Sequence, residues 1–177
     1  MSPWYRATTA PRPLPLSYEA HLPGLNAAAL KRIARLWRGK EASKLNKEGC
    51  IQAISQGLAD QQAIDLVLGE LSAFERAGLG LLKRYGQAAP TDVIATELLM
   101  LGMPFKDQRG GHRSWSTQHT TDYGALNALL HRGVALLQNW QQSYGYPADL
   151  HLDDYHCGPQ VFTEPCLLAG VDTVPPS

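Results

Sequence analysis

Cysteine is scarce: Cys50, Cys157 and Cys166 are the only three in 177 residues. An odd, small number excludes a disulfide framework as the main source of stability. Long apolar runs are missing as well, since no stretch approaches the roughly 18 residues a membrane-spanning helix needs. The N-terminal MSPWYRATTAPRPLPL is interrupted by prolines and has no continuous apolar core of the kind a secretory leader carries. These absences lead us to expect a cytoplasmic protein. Catalytic signatures are equally absent. There is no G-x-x-x-x-G-K-[ST] phosphate loop, no H-E-x-x-H, no G-x-S-x-G and no C-x-x-C. GLGLLK at 78–83 only imitates a phosphate loop, because its glycines fall inside a helical period. The expectation is a non-enzymatic chain without a cofactor.

Net charge is also missing, with 16 basic and 16 acidic side chains. A sum of zero excludes a uniformly basic binder, yet it conceals a strong asymmetry. Residues 1–50 carry nine Lys/Arg against three acids, a net of +6, whereas the remaining residues carry seven against thirteen, a net of −6. A difference between segments is more informative than the total.

With 44% apolar residues the chain has enough material for a globular core. Residues 1–24 contain five prolines and read as an extended lead-in, although Trp4, Tyr5, Leu14, Leu16 and Tyr18 are apolar enough to dock. Asn26 caps AAALKRIARLWR, with Leu30, Ile33, Ala34 and Trp37 inward and Gly39 ending it. After the basic turn GKEASKLN, Asn46 caps KEGCIQAISQ, which turns Cys50, Ile51 and Ile54 inward before Gly57. A helix after Asp60 buries Ile64, Val67, Leu68 and Leu71. Ser72 and Glu75 form a capping-box pattern for a helix that buries Phe74, Ala77, Leu81 and Leu82 and stops at Gly86. Thr91 is expected to cap a helix carrying Val93, Ile94, Leu98 and Leu101.

A polar connection at 103–119 separates this helix from TDYGALNALLHR, opened by Thr120 or Thr121 and closed by Gly133, with Tyr123, Leu126, Leu129 and Leu130 on one stripe. VALLQNW and QVFTEP then read as two strands of a hairpin, and VDTVPPS as a loose tail. The fold expected is mainly α, with a short β-hairpin. Its divisions are a lead-in at 1–24, a helical unit at 25–71, a second domain at 72–170 and a tail at 171–177.

Three clusters bear on chemistry. His151, His156, Cys157 and Cys166 are metal-ligand types, but the spacing H-x4-H-C-x8-C matches no common zinc pattern. His112 and His119, like Asp153 and Asp154, sit in polar loop sequence and read as solvated side chains. No metal site is expected. The third cluster is cationic. Lys31, Arg35 and Arg38 recur at spacings of four and three and therefore share a helix face. Lys40, Lys44 and Lys47 continue that charge to the start of the next helix, where free amides and the helix dipole favour a phosphate.

Residues 25–57 resemble a SAP-type helix-extended-helix unit, with Leu30, Ile33 and Trp37 fitting the first helix and Lys47, Ile51 and Ile54 the second. Cys50, Ala53 and Leu45 depart from the family pattern, which usually has leucine, arginine and glycine there. Residues 72–165 look like a winged helix, carried best by LNALLHRGVALL at 126–137. The tandem is similar to the N-terminal portion of large bacterial helicase-associated proteins, including those with an XPB-like N-terminal region. The resemblance implies a non-catalytic part or accessory of a helicase-type machine that binds double-stranded DNA. Lys31, Arg35, Arg38, Lys40, Lys44 and Lys47 would meet phosphates. Thr121, Asn127, His131 and Arg132 would face a groove, supported by Arg109 and Arg113. The competing expectation is a protein–protein adaptor, built on the acidic half and on Trp115, Trp140, Tyr144, Tyr146 and Tyr155.

Overall fold

The computed structural model describes residues 15–106, 124–138 and 160–174. Within them the chain is mainly helical with one small antiparallel sheet. In chain order the elements begin with α1 (Tyr18–His21), a 3-10 turn (Leu22–Gly24), α2 (Ala27–Arg38) and a second 3-10 turn (Gly39–Lys44). Next come α3 (Lys47–Leu58), α4 (Gln61–Glu70), α5 (Ala73–Arg84), β1 (Ala88–Pro90) and α6 (Thr91–Met100). The remainder is α7 (Gly124–Arg132), β2 (Leu136–Leu137), β3 (Gln160–Phe162) and α8 (Pro165–Leu168).

Helix boundaries follow the polar residues that satisfy free end amides. The Asn26 and Asn46 side chains accept from Ala29 N at 2.8 Å and Gly49 N at 2.7 Å, and Asp60 accepts from Gln62 N at 3.0 Å. At α5 the capping box is complete, with Glu75 N donating to Ser72 Oγ and Ser72 N to Glu75 Oε1. Thr91, expected as a cap, is instead the first residue of α6 and is buried. β1 runs straight into that helix through Pro90, which has no side-chain acceptor to offer. Inward faces are largely those expected, although Ile51, Ala77, Val93 and Leu101 are only half-buried. Leu36 is buried as well, while Trp37 is half-buried with its ring against Gly57, inside an α3 that continues to Leu58.

The sheet has the order β1-β3-β2. Ala88, Ala89 and Pro90 face Phe162, Val161 and Gln160, and Leu136 and Leu137 face Phe162 and Val161 from the other side. VALLQNW thus pairs over Leu136–Leu137, with Val134 and Ala135 buried ahead of them, and QVFTEP pairs over Gln160–Phe162. β1 was not expected, because QAAP has neither β-branched residues nor alternation. Its pairing comes from β3, which lies between two neighbours.

Two terminal expectations are corrected. Residues 15–24 are not extended: Ser17 caps α1, and Tyr18, His21 and Leu22 are buried. Phe162 lies 6.0 Å from the Tyr18 ring, edge on, and 4.7 Å from the His21 ring. The segment after QVFTEP is not loose either. Pro165 opens α8, a start signal legible in the sequence. Val171 is buried, Lys83 Nζ donates to Val171 O at 2.8 Å, and Val174 N to Gly80 O at 3.3 Å. Gly80 permits this approach, since a Cβ there would meet Asp172 O at 2.5 Å.

All of these elements share one buried cluster running from Tyr18 to Val171. α2 packs on α3 and on α7, α7 on α6, and α5 on both α6 and α8. A close joint forms at Gly133, at φ +79, where a Cβ would lie 2.7 Å from Ile33 of α2. Replacing Gly133 by Ala combines a left-handed backbone penalty with overpacking, and should cost about 2–4 kcal/mol. Gly86→Ala, at φ +96 but with open space around it, carries only the first penalty, about 1–2 kcal/mol. Urea unfolding of the two variants checks the difference.

Candidate nucleic-acid interface

The cationic surface is assembled from the last turn of α2, the 3-10 turn and the first turn of α3. Gly39, at φ +60, lets the chain leave α2, and Asn46 starts α3 six residues after Lys40. Ala42 is fully buried beneath the turn, so its neighbours Glu41 and Ser43 stay at the surface. Arg35, Arg38, Lys40, Lys44 and Lys47 are all exposed. The Arg38 guanidinium donates to Gln56 Oε1 at 2.8 Å. Among the described residues no ion pair engages Arg35, Lys40, Lys44 or Lys47. Glu41 and Glu48 are the acids exposed within the same turn and helix start. At α3 the first amides have no partner inside the helix, so their dipoles add to the positive field.

Lys31 belongs to this stripe by spacing but is half-buried. Its charge reaches Cys50, whose thiol is pushed up chiefly by burial and pulled back in part by the Lys31 ammonium. The Cys50 Sγ lies 4.0 Å from Leu45 O. Cys166 is half-buried, and its thiol is likewise raised by burial and by the Glu164 carboxylate beside it.

Arg32, absent from the expected site, has a role that no local signal reveals. Its Nε donates at 3.0 Å to the carbonyl of His131, at the C-terminal end of α7. The partners are 99 positions apart, so neither spacing nor composition could have paired them. A guanidinium on a terminal carbonyl also complements the helix dipole there. The cation nearest the middle of α2 is thereby committed to tertiary structure.

One residue of the groove-facing half of the expected site, Asn127, is corrected by burial. Asn127 was expected on an exposed face, but only 5% of it is accessible. Every residue from Gly124 to Leu130 is buried, so this stretch of α7 has no outward face. The cause is tertiary: α7 packs against both α2 and α6. Among the described residues the side-chain oxygen and nitrogen of Asn127 have no hydrogen-bond partner. His131 is half-buried, and Arg132, although exposed, donates to Glu75 Oε2 at 2.9 Å. Glu75 joins the α5 capping box to α7 through that pair. Arg109, Arg113 and Thr121 lie outside the described residues, as do Trp4, Tyr5, Trp115, Tyr123, Trp140, Tyr144, Tyr146 and Tyr155. So do His112, His119, His151, Asp153, Asp154, His156 and Cys157.

Among the described residues, no group of three or more His, Cys, Asp or Glu is placed to hold a metal. No described helix is long and apolar enough to cross a membrane. A cavity of about 530 Å³ lies between α4, α5 and α7, with Phe74 and Phe105 on its walls and Glu75 and Arg132 at its edge. Among the described residues, Arg35, Lys40, Lys44 and Lys47 are exposed cations without an ion pair. Comparison with protein-family models, curated proteins and solved structures finds no match.

Asn127→Leu removes two buried polar atoms that lack partners among the described residues and keeps the four-atom branched shape of the side chain. It should leave stability unchanged or raise it by about 1–2 kcal/mol, as read from urea midpoints. In the native protein at pH 8, Cys50 should react with a thiol reagent far more slowly than Cys166. Burial closes off the Cys50 thiol while Cys166 is only half-buried, and the contrast should vanish in denaturant. Peptide mapping after timed alkylation distinguishes the two sites.

Proposed function

We propose that this chain is a non-catalytic nucleic-acid-binding module that grips double-stranded DNA by its phosphates. The observation that carries this reading is the run of exposed Arg35, Arg38, Lys40, Lys44 and Lys47 along the last turn of α2, the 3-10 turn and the start of α3. Charges left without acidic partners lower their energy by taking up phosphate and releasing condensed counterions. Such contacts set affinity and position without reading sequence. No aromatic ring stands exposed among these five residues, so base stacking of the single-strand type has no platform here.

The arrangement of the remaining elements supports a SAP-like unit followed by a winged helix. Among the described residues the order from α5 to β3 is helix, strand, helix, helix, strand, strand, with β3 central in the sheet and α8 following it. A winged helix requires that order, and a third helix followed closely by the hairpin. We assign DNA contact to the α2–α3 surface rather than to α7, whose Gly124–Leu130 stretch is buried. The setting we propose is an accessory or N-terminal part of a helicase-type machine, with catalysis belonging to another part of that machine.

One observation favours the second reading, a protein–protein adaptor. α6 is apolar on most of its circumference, yet Leu99 and Met100 are 38% and 67% exposed, beside an exposed Tyr85. A solvent-facing apolar strip of that kind suits a protein partner.

Titrating duplex DNA at several salt concentrations separates the two. The Arg35→Ala, Lys40→Ala, Lys44→Ala triple variant should bind roughly a hundredfold or more weakly near 0.1 M salt. Its log–log salt slope should flatten by about 0.9 per lost contact, close to three units in all. Unchanged affinity with an unchanged slope would defeat the DNA reading.

A further inference from the structure

We infer that Ser43 is a modification site, a phosphate acceptor through which the cationic surface is switched off. The inference rests on the phosphate-binding reading of that surface and adds its regulation. Ser43 is exposed and lies in the six-residue 3-10 turn Gly39–Lys44, between the two helices that carry the cations. Lys40 precedes it by three positions, Arg38 by five, and Lys44 and Lys47 follow by one and four. No other described serine or threonine is so surrounded. Ser17 and Ser72 are helix caps, Thr91 and Thr163 are buried, and Ser55, Thr96 and Thr173 have no Lys or Arg within five positions.

Accessibility and charge pattern suit a protein kinase whose acidic groove selects basic residues before the acceptor. The Ser43 hydroxyl is held by one bond, Oγ to Lys40 O at 2.9 Å. Short 3-10 segments open at low cost, so the turn can present the acceptor in an extended form. In the reaction, Ser43 Oγ attacks the γ-phosphorus of a nucleoside triphosphate. The new O–P bond forms as the β–γ anhydride bond breaks, the nucleoside diphosphate leaves, and the hydroxyl proton passes to the kinase's base. No electrons are exchanged with an outside donor or acceptor.

The product places about −1.5 to −2 charges amid the cations. Lys40, Lys44 and Lys47, together with the free amides of α3, then have a phosphate of their own chain to neutralise. A DNA phosphate arriving at the same surface meets repulsion and fewer available partners.

The test uses the full chain, a purified basic-directed serine/threonine kinase with ATP and Mg²⁺, and a fluorescent duplex. Phosphate should enter at Ser43, located by peptide mass, and not in Ser43→Ala. The phosphorylated chain should bind the duplex at least about tenfold more weakly near 0.1 M salt, with a salt slope about 1.5–2 units flatter. Phosphatase should reverse both effects, and Ser43→Asp should reproduce part of the loss without any kinase. Failure to incorporate phosphate at Ser43 would overturn the inference. So would full affinity in both the phosphorylated chain and Ser43→Asp, even with the DNA reading intact. Absence of binding by the unmodified chain would overturn the DNA reading itself, and the switch with it.

Discussion

The C-terminal end of α7 is the constraint on which the rest of this structure depends. A helix leaves its last carbonyls without internal partners, and here that end is enclosed by neighbouring elements. Three side chains from distant parts of the chain satisfy the carbonyls in and just beyond that turn. Arg32 takes His131 O, Tyr18 takes Gly133 O at 2.8 Å, and Thr163 takes Val134 O at 2.7 Å. Gly133 closes the joint, because its missing Cβ is what allows Ile33 to lie against the backbone. A buried carbonyl without a donor costs about 1–3 kcal/mol, so these bonds hold α1, α2 and β3 to one point.

From that point the cationic surface acquires a fixed orientation. α2 is anchored through Arg32 and Ile33, and Arg35 and Arg38 in its last turn are exposed. The N-terminal segment reinforces the same arrangement. Tyr18 N donates to Glu164 at 2.6 Å, and Gln87 Nε2 reaches both Leu16 O and Thr163 O. Residues 16–18 are therefore tied to the sheet and to the turn that follows it. Charge asymmetry along the sequence becomes spatial asymmetry because α2 cannot rotate about its axis without breaking these contacts.

The two halves of the expected DNA surface differ in what their cations are free to do. Among the described residues Arg35, Lys40, Lys44 and Lys47 form no ion pair, whereas Arg132 is paired with Glu75 and Arg32 with a carbonyl. Formal charge counts all of them equally. Availability does not, and it concentrates the binding reading on a surface built from α2, the 3-10 turn and α3.

Local chemistry was legible in the sequence by itself. Asn26, Asn46, Asp60 and the Ser72–Glu75 pair mark helix starts because end amides need an acceptor within three residues. Gly39, Gly86 and Gly133 mark helix ends because positive φ excludes most side chains. Periodic apolar residues likewise located most buried faces, and the Lys/Arg spacing located the exposed cations. Tertiary structure alone decided the rest. β1 exists because β3 offers it a partner, and Asn127 is buried because α2 and α6 cover α7. Tyr18 belongs to the core because Phe162 and the Gly133 carbonyl receive it. Burial and hydrogen-bond pairing between residues about a hundred positions apart depend on where the chain returns, and no local pattern of residues encodes that return.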